Sequence, residues 1–320
     1  MKVLVLSEHD VERLLTMEAC IGLMGDALAA LARGEVHNPL RQAIRPPGAK
    51  HLIGLMPAFR GGEWPAYGLK EICIFPENPS RGLDTHLGAV LLHSGETGEL
   101  LAMANASAIT AIRTAAASAL ATRVLAREDA HILAVLGSGV QAASHLRAIP
   151  LVRDIREVRI YSRNRAKAEG LGQGRVCASA EEAVRGADVI VTATSSAEPV
   201  VRREWMAPGA HINAVGACFP AARELDGATV AAASFFVDSR ESAFHESGDY
   251  LLAVREGAIP GPEHIRAELG EVLLGRAGGR GSEEEITIYK SLGIAVEDLV
   301  SVAFLYDEAK RQSAGTWIDF

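Results

Sequence analysis

Three basic residues of this chain sit where a charge needs a reason. Lys70 closes Tyr67-Gly68-Leu69 and precedes Glu71 and a strand-like run, and Arg41 follows Pro39-Leu40. Arg113 interrupts the Ala/Ile surface of a long helical segment and is followed by Thr114 and three alanines. A charge in apolar surroundings demands a partner. Taken singly, each has a structural reading: Lys70 pairs with Glu71 or another carboxylate, and Arg113 caps a neighbouring element. Taken together beside a hydride donor, they form a set that binds a carboxylate and protonates or polarises a C=N or C=O group.

A hydride donor is indicated by Leu133-Ala134-Val135-Leu136-Gly137-Ser138-Gly139-Val140-Gln141-Ala142, a strand running into a GxGxxA turn and the helix Gln141–Ile149. Gly137 permits the tight turn, Gly139 bares the backbone for a pyrophosphate, and Ala142 lets helix and strand touch. The helix N-terminus then faces the anion. An NAD site places a carboxylate at the end of the next strand, whereas an NADP site favours arginine there. This chain has Ser162-Arg163-Asn164. One guanidinium and two small polar groups suit a phosphate dianion, so NADPH is the expected cofactor, with NADH as the alternative.

Other chemistry-bearing residues read as structural. His51, His86 and His211 lack metal spacing and are expected in the core or in hydrogen bonds, so no metal is predicted. Cys218 follows a strand at the carboxyl end, where doubly wound sheets bind ligands, yet a buried inert thiol is the simpler reading. No GxSxG or Cys/His nucleophile arrangement occurs.

The elements that must position these residues are legible in outline. Thr16 reads as the N-cap of an amphipathic helix carrying Ile21, Met24, Leu28 and Leu31, with Gly34 as its stop. His51–Met56, Gly68–Phe75 and Gly88–His93 read as strands of an antiparallel or mixed sheet. A helix from about Ser107 to Ala126, with an apolar stripe through Ile109, Ile112, Ala116, Leu120 and Val124, connects two domains. Beyond Asp129, continuously apolar strands at Ile132–Leu136, Val158–Tyr161, Val189–Thr192, Ile212–Val215 and Phe235–Val237 predict an α/β Rossmann-type doubly wound parallel sheet. Gly275–Gly281 reads as a flexible surface loop. After Gly281 the chain is expected to return to helix, with Ile294, Leu299, Val302, Ala303 and Tyr306 packing back on the first domain. The expected division is 1–112, with 295–320 packed against it, and an NADP-binding domain at 113–294.

Composition excludes several classes. With 32 Lys and Arg against 40 Asp and Glu, the net charge of −8 argues against nucleic acid and against a polybasic membrane anchor. Hydrophobic residues at 48% and charged residues at 22% exclude a disordered chain. No apolar run approaches the ~18–20 residues of a membrane span. Met1–Leu6 is too short for a signal-peptide core, and four scattered cysteines without CxxC fit a reducing cytoplasm.

Along its whole length the chain resembles the ornithine cyclodeaminase/mu-crystallin family, and within it the mu-crystallin, ketimine-reductase branch. The resemblance runs through Pro39-Leu40-Arg41, Leu55-Met56-Pro57-Ala58, Gly68-Leu69-Lys70, Arg113-Thr114-Ala115-Ala116 and Gly137-Ser138-Gly139-Val140-Gln141-Ala142. It continues through Pro208–Gly216, Arg223-Glu224-Leu225-Asp226, Glu246-Ser247-Gly248-Asp249, Glu268-Leu269-Gly270-Glu271 and Lys290-Ser291-Leu292-Gly293. It implies a homodimer, with a substrate and dimerisation domain built from the N-terminal segment and C-terminal helix. It also implies that Arg41, Lys70 and Arg113 face the substrate carboxylate and reacting nitrogen. Dinucleotide contacts are implied at Thr85, Thr114, Gly137, Ser138, Gly139, Val140, Gln141, Ser162, Arg163, Asn164, Thr192, Thr194, Val215 and Ser291.

One departure bears on the reaction. Where cyclodeaminases and the related alanine dehydrogenases are similar in carrying an aspartate, this chain reads Gly216-Ala217-Cys218-Phe219-Pro220. A thiol replaces a carboxylate base, which turns the expectation from ornithine cyclisation toward NADPH-dependent reduction of a small imino carboxylate to an L-amino acid. A deaminating dehydrogenase or cyclodeaminase, and an NADPH-retaining binding protein for a hydrophobic carboxylate, are the alternatives.

Overall fold

The computed structural model describes residues 2–320, and the chain divides into two compact units, Met1–Arg113 with Ile294–Phe320 and Thr114–Gly293. The first unit begins with β1 (Lys2–Leu6), α1 (Glu8–Leu14) and α2 (Met17–Arg33). Helix α2 starts and stops where its sequence predicts. Thr16 Oγ1 accepts the Ala19 N–H at 3.2 Å, and Gly34 closes the helix in the left-handed conformation, a pairing of caps that stabilises by about 1 kcal/mol at the N-terminus alone.

Short strands β2 (Val36–His37) and β3 (Gln42–Ile44) lead into a meander of β4 (Leu52–Arg60), β5 (Ala66–Ile74), β6 (His86–Ser94) and β7 (Leu100–Asn105). The sheet is mixed: β1 runs parallel to β7, while the meander is antiparallel. Residues alternate between its faces, so Ala66, Gly68, Lys70 and Ile72 are buried on one side of β5.

The chain continues through α3 (Ala106–Leu125) into the second unit. The expected apolar stripe of α3 is not what the structure has. From Ala111 to Thr122 the helix is buried around its whole circumference, which the small volume of alanine permits.

The second unit holds β8 (Ile132–Leu136), α4 (Val140–Ala148), β9 (Glu157–Tyr161), α5 (Arg165–Glu169), β10 (Arg175–Val176), α6 (Ala180–Val184), β11 (Val189–Thr192) and β12 (His211–Ala214). It continues with α7 (Gly227–Ala231), β13 (Ala233–Val237), α8 (Arg240–Glu246), α9 (Gly248–Arg255), β14 (Ile265–Glu268), α10 (Leu269–Leu273) and β15 (Ile286–Lys290). All eight strands are parallel, in the order β10-β9-β8-β11-β12-β15-β13-β14. The order reverses between β8 and β11, and their carboxyl ends therefore form the topological switch point of a doubly wound sheet.

Two expectations about its last part are corrected. The stretch after Gly281 does not go straight to helix, because Ile286–Lys290 inserts as β15 between β12 and β13. Gly275–Gly281 is pinned rather than free: Arg280 donates to the carbonyls of Leu125 and Ser282, and to Thr287 Oγ1 at 3.0 Å. With Arg153, which donates to the carbonyls of Arg123 and Ala126, it places positive charge on the C-terminal carbonyls of α3.

The last elements, α11 (Ala295–Gln312) and β16 (Thr316–Asp319), belong to the first unit. Helix α11 packs on α2 and across the meander. Gly68 makes that crossing close: a Cβ there would stand 2.9 Å from Leu299 Cβ and Cδ1. The same crossing sets the first turn of α11 above Lys70, two residues along the buried face. Among the described residues, no single helix is long and apolar enough to cross a membrane.

Candidate active site

Lys70 Nζ lies 2.7 Å from Asp298 Oδ2, Arg113 Nη1 lies 2.9 Å from Glu297 Oε2, and Arg113 Nε lies 3.2 Å from Asp298 Oδ1. All four side chains are buried. Of the two structural readings of Lys70, pairing with Glu71 does not occur, since strand alternation puts Glu71 on the opposite face; the partner is another carboxylate, Asp298. Arg113 is ion-paired to the two acids in the first turn of α11.

Burial pushes the Lys70 ammonium down to about 8; Arg113 adds to that shift, Asp298 opposes it, and the charge of nearby Arg41 contributes in the same direction as Arg113. Asp298 is held below the usual carboxylate range: burial pushes it up, but Arg113 and Lys70 outweigh that. Lys70 is therefore an ammonium able to give up a proton near neutral pH, set among guanidinium groups suited to a carboxylate. Lys70 and Arg113 are thus brought together on Asp298, and the charge of Arg41 is felt at Lys70. Glu297 and Asp298 were missed from sequence; the signal was a pair of acids inside the otherwise apolar run Ile294–Val300.

In the second unit, Gly137 has φ +132°, and a Cβ on it would collide with the Ala193 carbonyl where β8 and β11 end side by side. Gly139 caps α4 with no side chain over the helix N–H groups, and a Cβ there would meet open space. Val140 is exposed. Ser138 Oγ lies 2.8 Å from Ser162 Oγ and so ties the glycine turn to the end of β9. Arg163 is exposed, and Asn164 caps α5 through Lys167 N–H at 3.0 Å.

Behind the turn, His145 is fully buried. Its Nδ1 faces the Gln141 carbonyl at 2.7 Å, which only accepts, so Nδ1 carries the proton and Nε2 accepts from Ser118 Oγ at 2.8 Å. Burial pushes His145 down to about 4, which keeps it neutral.

The remaining expected contacts scatter in kind. Thr114 is buried on α3 and Val215 is buried just beyond β12. Ser291, just past β15, is buried, and its hydroxyl has no hydrogen-bond partner among the described residues. Thr85 belongs to the first unit, where its carbonyl accepts from Phe75 N–H at 2.8 Å. Thr192 is fully buried with its hydroxyl 2.8 Å from Glu224 Oε2, and Thr194 gives both N–H and hydroxyl to Glu224 Oε1 at 2.7 Å. A glycine-rimmed helix N-terminus at the switch point and an orphaned buried hydroxyl at the carboxyl end of β15 fit a dinucleotide.

Glu224, Asp249 and Lys290 lie in three separate motifs of the sequence. The structure joins them: Glu224 N–H donates to Asp249 Oδ1 at 2.7 Å, and Asp249 Oδ2 lies 3.0 Å from Lys290 Nζ. Burial alone would depress Lys290, yet Asp249, Cys218 and Glu224 raise it above its ordinary value. Cys218 is half-buried, with its thiol directed at the Val215 carbonyl at 3.4 Å.

A doubly wound parallel sheet with a bare-backbone turn at its switch point defines a dinucleotide-binding protein. The chain belongs to the ornithine cyclodeaminase/mu-crystallin family, whose model matches residues 1–313. It is 42% identical over 291 residues to mouse ketimine reductase mu-crystallin, covering 88% of this chain and 89% of the relative. Among solved structures it is similar to Thermococcus litoralis Δ1-pyrroline-2-carboxylate reductase in complex with NADH and L-proline, with TM-score 0.92, 37% identity, and 98% and 99% of the two chains covered. It is also similar to an archaeal alanine dehydrogenase dimer with bound NAD, with TM-score 0.93, 36% identity and the full length of both chains covered.

Proposed function

We propose that this protein is an NADPH-preferring reductase that converts a small cyclic or linear imino carboxylate to the L-amino acid. At the coarser level it is a nicotinamide-dependent oxidoreductase acting on C=N bonds. The observation that carries the reading is the Lys70–Asp298 pair: a buried ammonium near pKa 8, with Arg113 on the same carboxylate, in a family whose similar members are named as reductases.

The bound cofactor supplies hydride. Arg41 and Arg113 take the substrate carboxylate through charge-assisted hydrogen bonds, and Lys70 gives its proton to the imine nitrogen as the carbon receives hydride. Lys70 is then re-protonated from solvent, with Asp298 holding its Nζ in place. The α4 N-terminus and Ser138 receive the pyrophosphate, and Ser162, Arg163 and Asn164 receive the adenosine ribose phosphate. Preference for NADPH is supported by the exposed Arg163 and by the absence of a carboxylate in Ser162–Asn164.

The half-buried thiol of Cys218 supports reduction over cyclodeamination, because it offers no carboxylate base at that strand end. Self-association as a homodimer is supported by the face of the meander opposite α11. There Leu55, Pro57, Phe59, Tyr67, Leu69 and Leu91 make a mostly apolar surface, with the Phe59 and Tyr67 rings 4.7 Å apart. Light scattering of the wild type and of Tyr67→Arg tests this, with a dimer expected for the first and a weakened one for the second.

The activity is tested by following NADPH oxidation with a panel of pyrroline-, piperideine- and open-chain imino carboxylates. Turnover with at least one is expected. No turnover with any, alongside ammonia release from L-ornithine, would replace reduction with cyclodeamination.

A further inference from the structure

Glu224 stands outside every catalytic assignment made above, yet its carboxylate accepts four hydrogen bonds at the carboxyl ends of two neighbouring strands. Its side chain is fully buried. Oε1 accepts Thr194 N–H and Thr194 Oγ, both at 2.7 Å, and Oε2 accepts Thr192 Oγ at 2.8 Å and Gly216 N–H at 2.6 Å. The donors come from two neighbouring strand ends, those of β11 and β12. The Glu224 backbone is itself fixed, because its N–H and that of Leu225 both reach Asp249 Oδ1, at 2.7 and 2.9 Å.

A carboxylate so placed is costly to bury, and an apolar residue of similar volume would fill the same space without the desolvation penalty. What an apolar residue would not do is hold two backbone N–H groups and two hydroxyls at fixed points. The adenosine side of a dinucleotide belongs at the end of β9, and the chain order across the switch point puts its nicotinamide side at the ends of β11 and β12. Resting on the dinucleotide reading of this unit, we propose that Glu224 is a positioning residue: it holds the Thr192–Thr194 and Gly216 backbones in the shape that receives the nicotinamide half of the cofactor, and leaves the adenosine half untouched.

Glutamine at this position has one acceptor oxygen, and whichever way its amide is turned the NH2 faces one backbone N–H that can only donate, that of Thr194 or that of Gly216. The test is calorimetric titration of wild type, Glu224→Gln and the gentler Thr192→Val, which deletes one of the four hydrogen bonds. Each is titrated with NADPH and with 2′-phospho-ADP-ribose, which lacks the nicotinamide, or with NADH and ADP-ribose where the wild type prefers NADH. The expected result is that NADPH affinity falls about tenfold or more in Glu224→Gln and about threefold in Thr192→Val, while the fragment binds within about twofold of wild type. Equal weakening of both ligands would make Glu224 a general structural residue, and unchanged binding of both would remove its role altogether; either result overturns the proposal. Should Glu224→Gln not fold, Thr192→Val decides by the same split. A wild type that binds neither ligand would overturn the dinucleotide reading, and the role of Glu224 with it.

Discussion

Lys70 on β5 and Asp298 in the first turn of α11 meet at 2.7 Å with both side chains buried. Removing the ammonium removes the proton donor and leaves Asp298 facing only Arg113. Lys70→Met is therefore expected to slow imine reduction by about 100-fold or more at saturating substrate, with NADPH binding within about twofold of wild type. Steady-state kinetics with direct cofactor titration checks both halves, and reduction at the parental rate would remove Lys70 from the mechanism.

The pH dependence follows from the same group. In the proposed mechanism Lys70 acts in its protonated form, and burial brings its pKa to about 8. The rate of reduction should be level below that value and fall about tenfold per pH unit above it. The reverse oxidation of the amino acid, which needs Lys70 as a base, should rise over the same interval. A reduction rate unchanged up to about pH 10, near the ordinary value for lysine, would contradict the assignment.

Asp298 raises the pKa of Lys70 against the effects of burial and Arg113. Asp298→Asn should thus move the alkaline limb of the rate profile to lower pH. It also leaves two buried cations short of a counter-ion, so a loss of about 3–5 kcal/mol of stability is expected, read by chemical unfolding. A limb that moves upward would contradict the electrostatic account.

How much of this was legible in the sequence depended on distance along the chain. Thr16 and Gly34 bracket α2 as read because a cap bonds within its own turn. Ile132–Leu136 and Val189–Thr192 were read to the residue because both faces of a parallel strand are covered, so the apolar run equals the strand. β15 escaped notice because Thr287 and Lys290 look exposed. They are buried on His211 and Asp249, partners far away in sequence. The cations of the site could be named from sequence as charges in apolar company, but Glu297 and Asp298 could not be matched to them before α11 was seen to cross β5.

His145 and His211 make the second unit acid-sensitive. Burial lowers them to about 4 and about 3, against 6.5 in an unfolded chain. With both folded-state values depressed, the unfolded state takes up protons first as pH falls. Their stabilisation is whole above about pH 6.5 and is lost progressively below it, on the order of 5 kcal/mol for the pair by about pH 4. Urea unfolding across that range, with His145→Gln flattening part of the slope, checks the sign. Stability that grows on acidification would contradict it.

The proposed preference for NADPH rests on Arg163. Arg163→Ala should weaken NADPH binding about tenfold while leaving NADH within about twofold, since only the former presents a 2′-phosphate. Fluorescence titration with both nucleotides decides this, and equal weakening of the two would return Arg163 to a solvated loop residue.

The central claim is that hydride arrives at the carbon of an imino carboxylate held by Arg41, Lys70 and Arg113. Reduction of Δ1-pyrroline-2-carboxylate with NADPH deuterated on the transferring face, read by mass spectrometry and chiral chromatography, tests it most directly. The account predicts L-proline carrying one deuterium on Cα for each NADPH consumed. Unlabelled proline, or NADPH left unconsumed across the whole imine panel, would contradict it.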